Sequence, residues 1–302
     1  MLNPETMSTK TEFISFYFLF LFFYFDINHH IFIIKKIKKG DELKRRGFEA
    51  REIDTVKNGV KKHGIAVKIG DGSVCPIFYA DDMKHFPMQE VVDKIVSALP
   101  SIEEKSKTPF LEMISDWDYV KDHIILCLQH GSTEEIFKWN LFGDLEIFLR
   151  VMFCEDPDGI ASVKVRNEYL AFWGIDPDTL YSVALKNTVK ETEILTMAEK
   201  LGSYFSDLDD MIIITNKSGI NGAACIVDDR VTEYLERKFG NEYMLLPSSI
   251  HEWLAVAYDP DGDYDGLVRK VNMLDGVGPD LVLSDHAYHI KNGEVIDREG
   301  IA

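Results

Sequence analysis

Cysteine is scarce in this sequence of 302 residues, which contains only Cys75, Cys127, Cys154 and Cys225. No C-x-x-C pair and no histidine at zinc-finger spacing accompany them, which argues against a structural zinc site. Each of the four lies in an apolar run, where an unpaired cysteine behaves as a small buried hydrophobe. We therefore expect reduced thiols in the core, as is typical of a cytoplasmic protein.

Basic residues are also few. The chain has 33 Lys and Arg against 51 Asp and Glu, for a formal net charge of −18. Residues 1–40 hold five of the basic and three of the acidic side chains, so the imbalance belongs to the rest of the chain. Nucleic-acid binding depends on basic side chains that neutralise phosphates, and a general acidic field opposes it. We therefore expect a protein or a small molecule as the partner, and no nucleic acid.

The sequence lacks an apolar run long enough for an ordinary membrane helix. Its most apolar stretch, FISFYFLFLFFYF, covers 13 residues from Phe13 to Phe25 and is followed directly by Asp26. A spanning helix needs about 20 apolar residues, and an Asp near its centre costs roughly 3 kcal/mol. A secretory signal is also disfavoured, because no small-x-small cleavage site follows the run and the basic cluster comes after it.

Three interpretations of this N-terminal segment remain open. Residues 12–39 consist mostly of Phe, Ile, Lys, Tyr and Asn, which have A/T-rich codons, and contain no Gly, Ala, Pro or Arg. This composition favours translated AT-rich spacer DNA, with residues 1–39 outside the native fold and residues 40–302 forming the body. The alternatives are a membrane anchor over residues 13–34 and a core helix. An anchor would still leave the body in the cytoplasm, because the cluster Lys35–Lys39 follows it.

The body from Gly40 onward is a series of short predicted strands and helices. The predicted strands are REIDTVKN, GIAVKIG, VCPIFYA, DHIILCLQ, LEIFLRVMF, IASVKVR, MIIITN, GAACIV, EYMLLP and WLAVAYD, with a last hairpin HAYHI–KNG–EVI. The predicted helices include MQEVVDKIVSAL, a helix capped by Asp176 with Pro177 at its first position, VTEYLERKF and DGLVRKVNML. Strands joined by short loops must be antiparallel. We therefore predict an α+β fold of repeated hairpin-then-helix units, with two lobes at 40–200 and 211–302 separated by the Gly- and Asp-rich stretch Leu201–Asp210.

The loop SSIHE offers the strongest candidate for catalysis. Ser249, His251 and Asp285 have the residue types of a nucleophile, a base and its orienting acid, with Glu252 and His286 beside them. No G-x-S-x-G elbow is present, so the sequence does not indicate how a nucleophile would be presented. The alternative interpretation is structural, with the hydroxyls bonding the backbone of a tight turn after Pro247.

Metal-binding patterns are incomplete. His251–Glu252 begins like a zinc-protease motif, but Ala255 stands where the second His belongs. A site built from His251, His286 and His289 is an alternative. Asp261, Asp263 and Asp265 match the first half of a calcium loop, yet Asn272 replaces the bidentate Glu; the structural alternative is an acidic turn whose last Asp caps the next helix. No residue pattern indicates a cofactor.

The stretches ITNKSGINGAACIVDD, YMLLPSSIHEWLAV and VLSDHAYHIKNGEV resemble an uncharacterised bacterial family that carries only a domain-of-unknown-function label. The motifs can be written ITNxxxxNGAA, LPSSIHE and LSDHAY. The resemblance implies a globular α+β body and assigns no catalytic residue. We therefore expect a cytoplasmic, non-enzymatic binding or interaction protein, and we keep a hydrolase or metal-dependent enzyme centred on the SSIHE loop as the alternative.

Overall fold

The computed structural model describes residues 39–69, 75–79, 86–106, 110–156, 159–202, 210–273 and 278–296. The chain divides into two compact units between Met113 and Ile114. The Phe-rich segment, residues 1–38, lies outside the described residues. Among the helices that are described, none has the length and apolar character needed to cross a bilayer.

The N-terminal unit is a small antiparallel sheet covered by helices. Its elements are α1 (Lys39–Arg45), β1 (Ala50–Lys57), β2 (Val60–Val67), β3 (Ile77–Tyr79) and α2 (Met88–Ser106), and the strands lie in the order β1-β2-β3. Asn58 and Gly59 both have positive φ, as the tight turn between β1 and β2 requires. Apolar side chains of α2 pack onto the sheet because they recur at helical spacing; they are Val91, Val92, Ile95 and Leu99.

The C-terminal unit begins with a four-stranded antiparallel sheet. Its elements follow the short helix α3 (Phe110–Ser115) and are α4 (Trp117–His123), β4 (Ile124–His130), β5 (Lys138–Phe142), β6 (Leu145–Asp156), β7 (Gly159–Lys164), α5 (Asn167–Trp173) and α6 (Pro177–Lys190). The long strand β6 pairs with β4 along one edge and with β5 and β7 along the other. The side chain of Asp176 accepts hydrogen bonds from the N–H groups of Asp178 and Thr179, which confirms the predicted cap of α6.

A six-stranded antiparallel sheet completes this unit. Its elements are β8 (Thr192–Thr196), α7 (Met197–Leu201), β9 (Ile212–Asn216), a 3-10 helix (Gly222–Val227), α8 (Asp229–Phe239), β10 (Glu242–Ser249), β11 (Glu252–Ala257), α9 (Tyr264–Asn272), β12 (Tyr288–Lys291) and β13 (Glu294–Val295). The strands lie in the order β13-β12-β10-β11-β9-β8. The hairpin β10–β11 is therefore central, and its turn lies at one end of the sheet.

One hydrophobic core joins the two sheets of the C-terminal unit. It contains residues of both sheets, among them Leu126, Leu149, Ile214, Leu245 and Trp253, all of them nearly or fully buried. Members of this core lie on both sides of Leu201–Asp210, whereas the two compact units divide at Met113. Residues 203–209 of the expected seam lie outside the described residues.

The predicted α+β class with antiparallel sheets is confirmed, and one predicted strand is wrong. GAACIV forms the 3-10 helix, because β9 already pairs with β8 and β11 and the chain must leave the sheet after Asn216. Seven elements were not predicted from the sequence: α1, α3, α4, β5, α5, β8 and α7. All are short, and β5 and β8 have no clean alternation of buried and exposed residues.

Leu149→Ala tests the shared core of the C-terminal unit. Leu149 is fully buried in the middle of β6, so removal of its side chain leaves a cavity and should lower the free energy of unfolding by about 2–5 kcal/mol. Phe172→Ala is the control, because Phe172 is 65% exposed and should change stability by about 0.5 kcal/mol or less. Urea denaturation measures both; equal effects would contradict the described core.

Candidate functional site

The segments that carry the three motifs meet at one end of the six-stranded sheet. The β10–β11 turn lies between two of them: the N–H of Ala223 in the 3-10 helix donates to the carbonyl of Ile250 (3.3 Å). On the other side, the N–H of Ile250 donates to the carbonyl of Leu281 (3.0 Å), just ahead of the LSDHAY motif. The turn is therefore a meeting point of segments that are distant in sequence.

Ser249 and His251 stabilise this turn. Ser249 Oγ accepts a hydrogen bond from the backbone N–H of His251 (3.0 Å), and the carbonyl of His251 accepts one from Thr215 Oγ1 (2.9 Å). His251 Nδ1 accepts from the backbone N–H of Asn221 (3.0 Å), so the neutral ring carries its proton on Nε2. A catalytic triad needs the opposite arrangement, in which Nδ1–H donates to a carboxylate and Nε2 accepts from the nucleophile.

Asp285 and His286 form hydrogen bonds with residues outside the β10–β11 turn. Asp285 Oδ1 accepts from Asn272 Nδ2 (2.8 Å), and the same amide group donates to the carbonyl of Ser284 (2.9 Å). The backbone N–H of His286 donates to Ser284 Oγ (3.1 Å). Within the described part of the chain, no hydrogen bond connects Asp285 with His251 or Ser249 with the imidazole of His251. The structure thus brings Ser249 and His251 together in one turn without assembling the predicted triad.

Asn216 stabilises the loop before the 3-10 helix through hydrogen bonds, and Gly222 at the end of this loop packs closely against neighbouring backbone. Asn216 Nδ2 donates to the carbonyl of Ile220 (2.9 Å), while Asn216 Oδ1 accepts the N–H of Ile220 (3.1 Å). Asn221 has φ +54°, a left-handed conformation that Asn tolerates better than most residues. A Cβ on Gly222 would lie 2.6 Å from both the backbone nitrogen of Asn216 and the carbonyl oxygen of His251, so only glycine fits there.

Glu252 is buried beside the turn. It is 2% exposed, and its Oε1 accepts from Ser248 Oγ (3.1 Å), whereas Oε2 has no hydrogen-bond partner among the residues that the structure describes. Burial raises the pKa of Glu252 from its ordinary 4.5 to about 7, against the opposing effects of Lys200 and the Ser248 hydroxyl. A buried carboxyl group that titrates near neutral pH is a functional-site candidate.

Asp144, which the sequence analysis missed, is the centre of a second polar cluster. Its Oδ1 accepts a hydrogen bond from the hydroxyl of Tyr288, and its Oδ2 accepts from Ser284 Oγ (2.8 Å). His130 Nδ1 lies 3.1 Å from the same Oδ2. Burial and this carboxylate raise the pKa of Tyr288 well above its usual range. The cluster ties the β5–β6 turn and the end of β4 to the LSDHAY motif.

The pair His130–Asp144 places a carboxylate beside an imidazole, which His251 lacks. His130 Nδ1 lies 3.1 Å from Asp144 Oδ2, within ion-pair distance, and the His130 side chain is 55% exposed. The signal available in the sequence was weak, because Gly131 and Gly143 mark ordinary turns and the partners Ser284 and Tyr288 are 140 or more residues away.

The acidic stretch before α9 caps a helix. Asp263 Oδ1 accepts from the N–H of Gly266 (3.0 Å) and is the N-cap of α9, so the expectation that the last Asp, Asp265, would cap it is wrong. Asp265 Oδ1 accepts from the N–H of Ala287 (2.9 Å), and the backbone N–H of Asp261 donates to Asp259 (3.0 Å). Across the described residues, no three His, Cys, Asp or Glu side chains are grouped closely enough to hold a metal ion.

A surface cleft lies at the C-terminal end of α9. It has a volume of about 450 Å³ and is lined by Arg269, Asn272, Met273, Pro279, Val282 and Asp285. Its lining therefore combines one cation, one anion, an amide and apolar side chains. Asn272 fixes one wall, because its amide holds the Ser284–Asp285 backbone and side chain as described above.

Comparison with known proteins gives one match. A family described as "Family of unknown function (DUF5688)" matches residues 35–292, which is most of the chain. No curated protein and no solved structure matches the chain.

Gly222→Ala tests the contact between the 3-10 helix and the β10–β11 turn. The added Cβ would collide with backbone atoms that cannot move independently, so we expect a loss of about 1–3 kcal/mol in unfolding free energy. Gly40→Ala is the matched control, because a Cβ at Gly40 has no atom within 4 Å. Thermal and urea denaturation would contradict the described packing if both variants were equally stable.

Asp144→Asn tests the second cluster. The amide keeps one acceptor oxygen and replaces the other with a donor, which leaves a buried hydroxyl, Ser284 or Tyr288, without an acceptor. We expect a loss of about 1–3 kcal/mol in unfolding free energy. Asp285→Asn should change stability much less, because Asp285 is exposed and an Asn oxygen still accepts from Asn272. Equal losses would show that Asp144 does not organise the cluster.

Proposed function

Since the chain belongs to DUF5688, a family of unknown function, we propose its role from the site itself: a cytoplasmic bacterial protein that binds a small molecule and catalyses no reaction. The observation that carries the proposal is the use of Ser249 and His251. Both side chains are hydrogen-bonded to the backbone of the turn and its neighbours, so neither is presented as an activated group.

The cleft beside α9 is the proposed ligand site. Its volume of about 450 Å³ falls within the range of small-molecule sites. Arg269 offers a guanidinium for an anionic group, and Asp285 offers a carboxylate for an ammonium group. Met273 and Val282 supply apolar contact. The lining therefore suits a zwitterion with an apolar part, such as a free α-amino acid or a dipeptide.

Charge and cysteine chemistry support the compartment and the partner class. The formal net charge of −18 opposes nucleic-acid binding. Cys127 and Cys225 are free thiols in the core, and burial raises their pKa values to about 12 and about 11. Buried, protonated thiols are inert, as expected for a protein that keeps its cysteines reduced in the cytoplasm.

A hydrolase is the second candidate, and the pair His130–Asp144 favours it. A histidine beside a carboxylate, on an exposed side chain, can take a proton from water. The SSIHE loop would then have no direct part in the chemistry. Ligand binding would depend on Arg269 and Asp285, whereas hydrolysis would depend on His130. Variants at these positions therefore distinguish the two functions.

Ligand binding to the full chain is tested with the twenty free amino acids and a set of dipeptides, by thermal shift and then calorimetry. We expect stabilisation by an apolar member of the set, because a ligand that binds only the native state raises its stability. Arg269→Ala and Asp285→Asn should each weaken binding about tenfold, since each removes a charged hydrogen-bond partner. Arg237→Ala on α8 is the control. No stabilisation, or stabilisation that survives both cleft variants, would overturn the proposed site.

Hydrolysis of p-nitrophenyl acetate and p-nitrophenyl phosphate by the same preparation tests the second candidate. The binding proposal predicts no turnover above that of Ser249→Ala and His130→Ala. Turnover that His130→Ala abolishes and Ser249→Ala preserves would replace the binding proposal with the hydrolase. Turnover lost in Ser249→Ala would instead restore the catalytic hypothesis for the SSIHE loop.

A further inference from the structure

Glu252 is a buried carboxyl group at the start of β11. It lies on the same face of β11 as Leu254 and Val256, which are buried. On β10, Leu246 and Met244 pair with Leu254 and Val256 and are also buried, and Ser248 follows at the irregularity between Pro247 and Ser249. The Ser248–Glu252 pair thus lies at the end of an apolar face of the sheet, next to the turn. A charge on Glu252 would be buried among hydrocarbon, which is costly.

Few groups compensate such a charge. Ser248 donates one hydrogen bond to Oε1, and Oε2 receives none from the described part of the chain. Lys200 on α7 acts on the carboxyl group only through its charge. Of the other titratable side chains in the described residues, His251 precedes Glu252 and its Nδ1 accepts from the N–H of Asn221, and Glu193 on β8 pairs with Thr215 of β9. Lys200 is thus the one cation among the described residues that favours the ionised form.

The direction of the pH effect follows from the raised pKa. Glu252 binds its proton more tightly in the folded state, at about pH 7, than in an open state where its pKa is the ordinary 4.5. Its contribution to stability is therefore complete below pH 4.5 and is lost as the pH rises towards 7. Above pH 7 the folded turn contains the buried carboxylate.

The consequence is local, because the turn holds three other segments. The N–H groups of Asn221 and Ala223 and the hydroxyl of Thr215 all bond to His251 or Ile250, and Ile250 in turn bonds to Leu281. Any movement that admits water to Glu252 displaces Ser248 and the turn next to it. The hydrogen bonds of the turn would then open together.

We propose that Glu252 makes the β10–β11 turn a proton-operated latch. The neutral carboxyl group keeps the turn closed around the Asn216–Asn221 loop and the 3-10 helix. Loss of the proton loosens the turn and the segments bonded to it. The latch would operate even if the cleft beside α9 binds no ligand.

Amide hydrogen exchange of the full chain between pH 5 and 8 tests the latch. After correction for the intrinsic pH dependence of exchange, opening at Asn221, Ala223 and Ile250 should increase at least tenfold from pH 5 to pH 7 and level off above it. Amides of the four-stranded sheet, such as those of Leu126 and Leu149, should show no such increase. Glu252→Gln should abolish the pH dependence, and Glu193→Gln is the control that should retain it.

Ser248→Ala is a second variant that keeps the carboxyl group. Without the hydroxyl that favours the ionised form, the pH at which opening levels off should move upward. The latch is overturned if the turn amides of the wild-type protein respond to pH no more than those of the four-stranded sheet. It is also overturned if Glu252→Gln keeps the pH dependence, or if Ser248→Ala moves the midpoint downward.

Discussion

The hydrogen bonds between the β10–β11 turn and the 3-10 helix are the constraint on which the end of the six-stranded sheet depends. Buried backbone groups must find partners, and here the turn and the 3-10 helix supply them to each other. The approach is close enough that Gly222 has no room for a side chain. The same approach lets the indole of Trp253 donate to the carbonyl of Ala223 (2.8 Å), which fixes one of the two tryptophans of the shared core. Backbone contact at the turn and side-chain packing below it therefore reinforce one another.

Asp144 fixes the relative orientation of the two sheets of the C-terminal unit. Apolar side chains pack two surfaces together but leave their relative orientation loosely determined, whereas hydrogen bonds demand a defined geometry. Tyr288 and Ser284, at the start of β12 and just before it, both donate to a carboxylate that follows β5. Gly143 permits this, because a Cβ there would lie 3.1 Å from the ring of Tyr288. The cluster thus combines orientation of the sheets with an exposed imidazole, that of His130, next to the Asp144 carboxylate.

Local chemistry predicted most of the fold, and long-range contact determined the rest. The α6 cap at Asp176 and the β10–β11 hairpin follow from side-chain and turn preferences that act within a few residues. GAACIV reads as a buried strand because small and branched apolar residues suit both a strand and a buried 3-10 helix. Its conformation depends on β9 having two strand partners, which no local pattern reveals. The role of Asp144 was not predicted for the same reason, since an Asp after Gly at a turn is common and gives no sign of a distant partner.

The chemistry of Glu252 connects the hydrogen bonds of the β10–β11 turn to function. A glutamine at this position would accept the hydrogen bond from Ser248 and carry no charge, so the geometry alone does not call for a carboxyl group. What glutamate adds is a proton that leaves near neutral pH. The turn beside it bonds through Ile250 to Leu281, and the chain continues from there to Val282 and Asp285 in the lining of the cleft. Because coupling between two sites is reciprocal, a ligand in the cleft that favours the closed turn must also raise the proton affinity of Glu252. The protonation of one buried side chain and the occupancy of the proposed cleft would then be two measures of the same equilibrium.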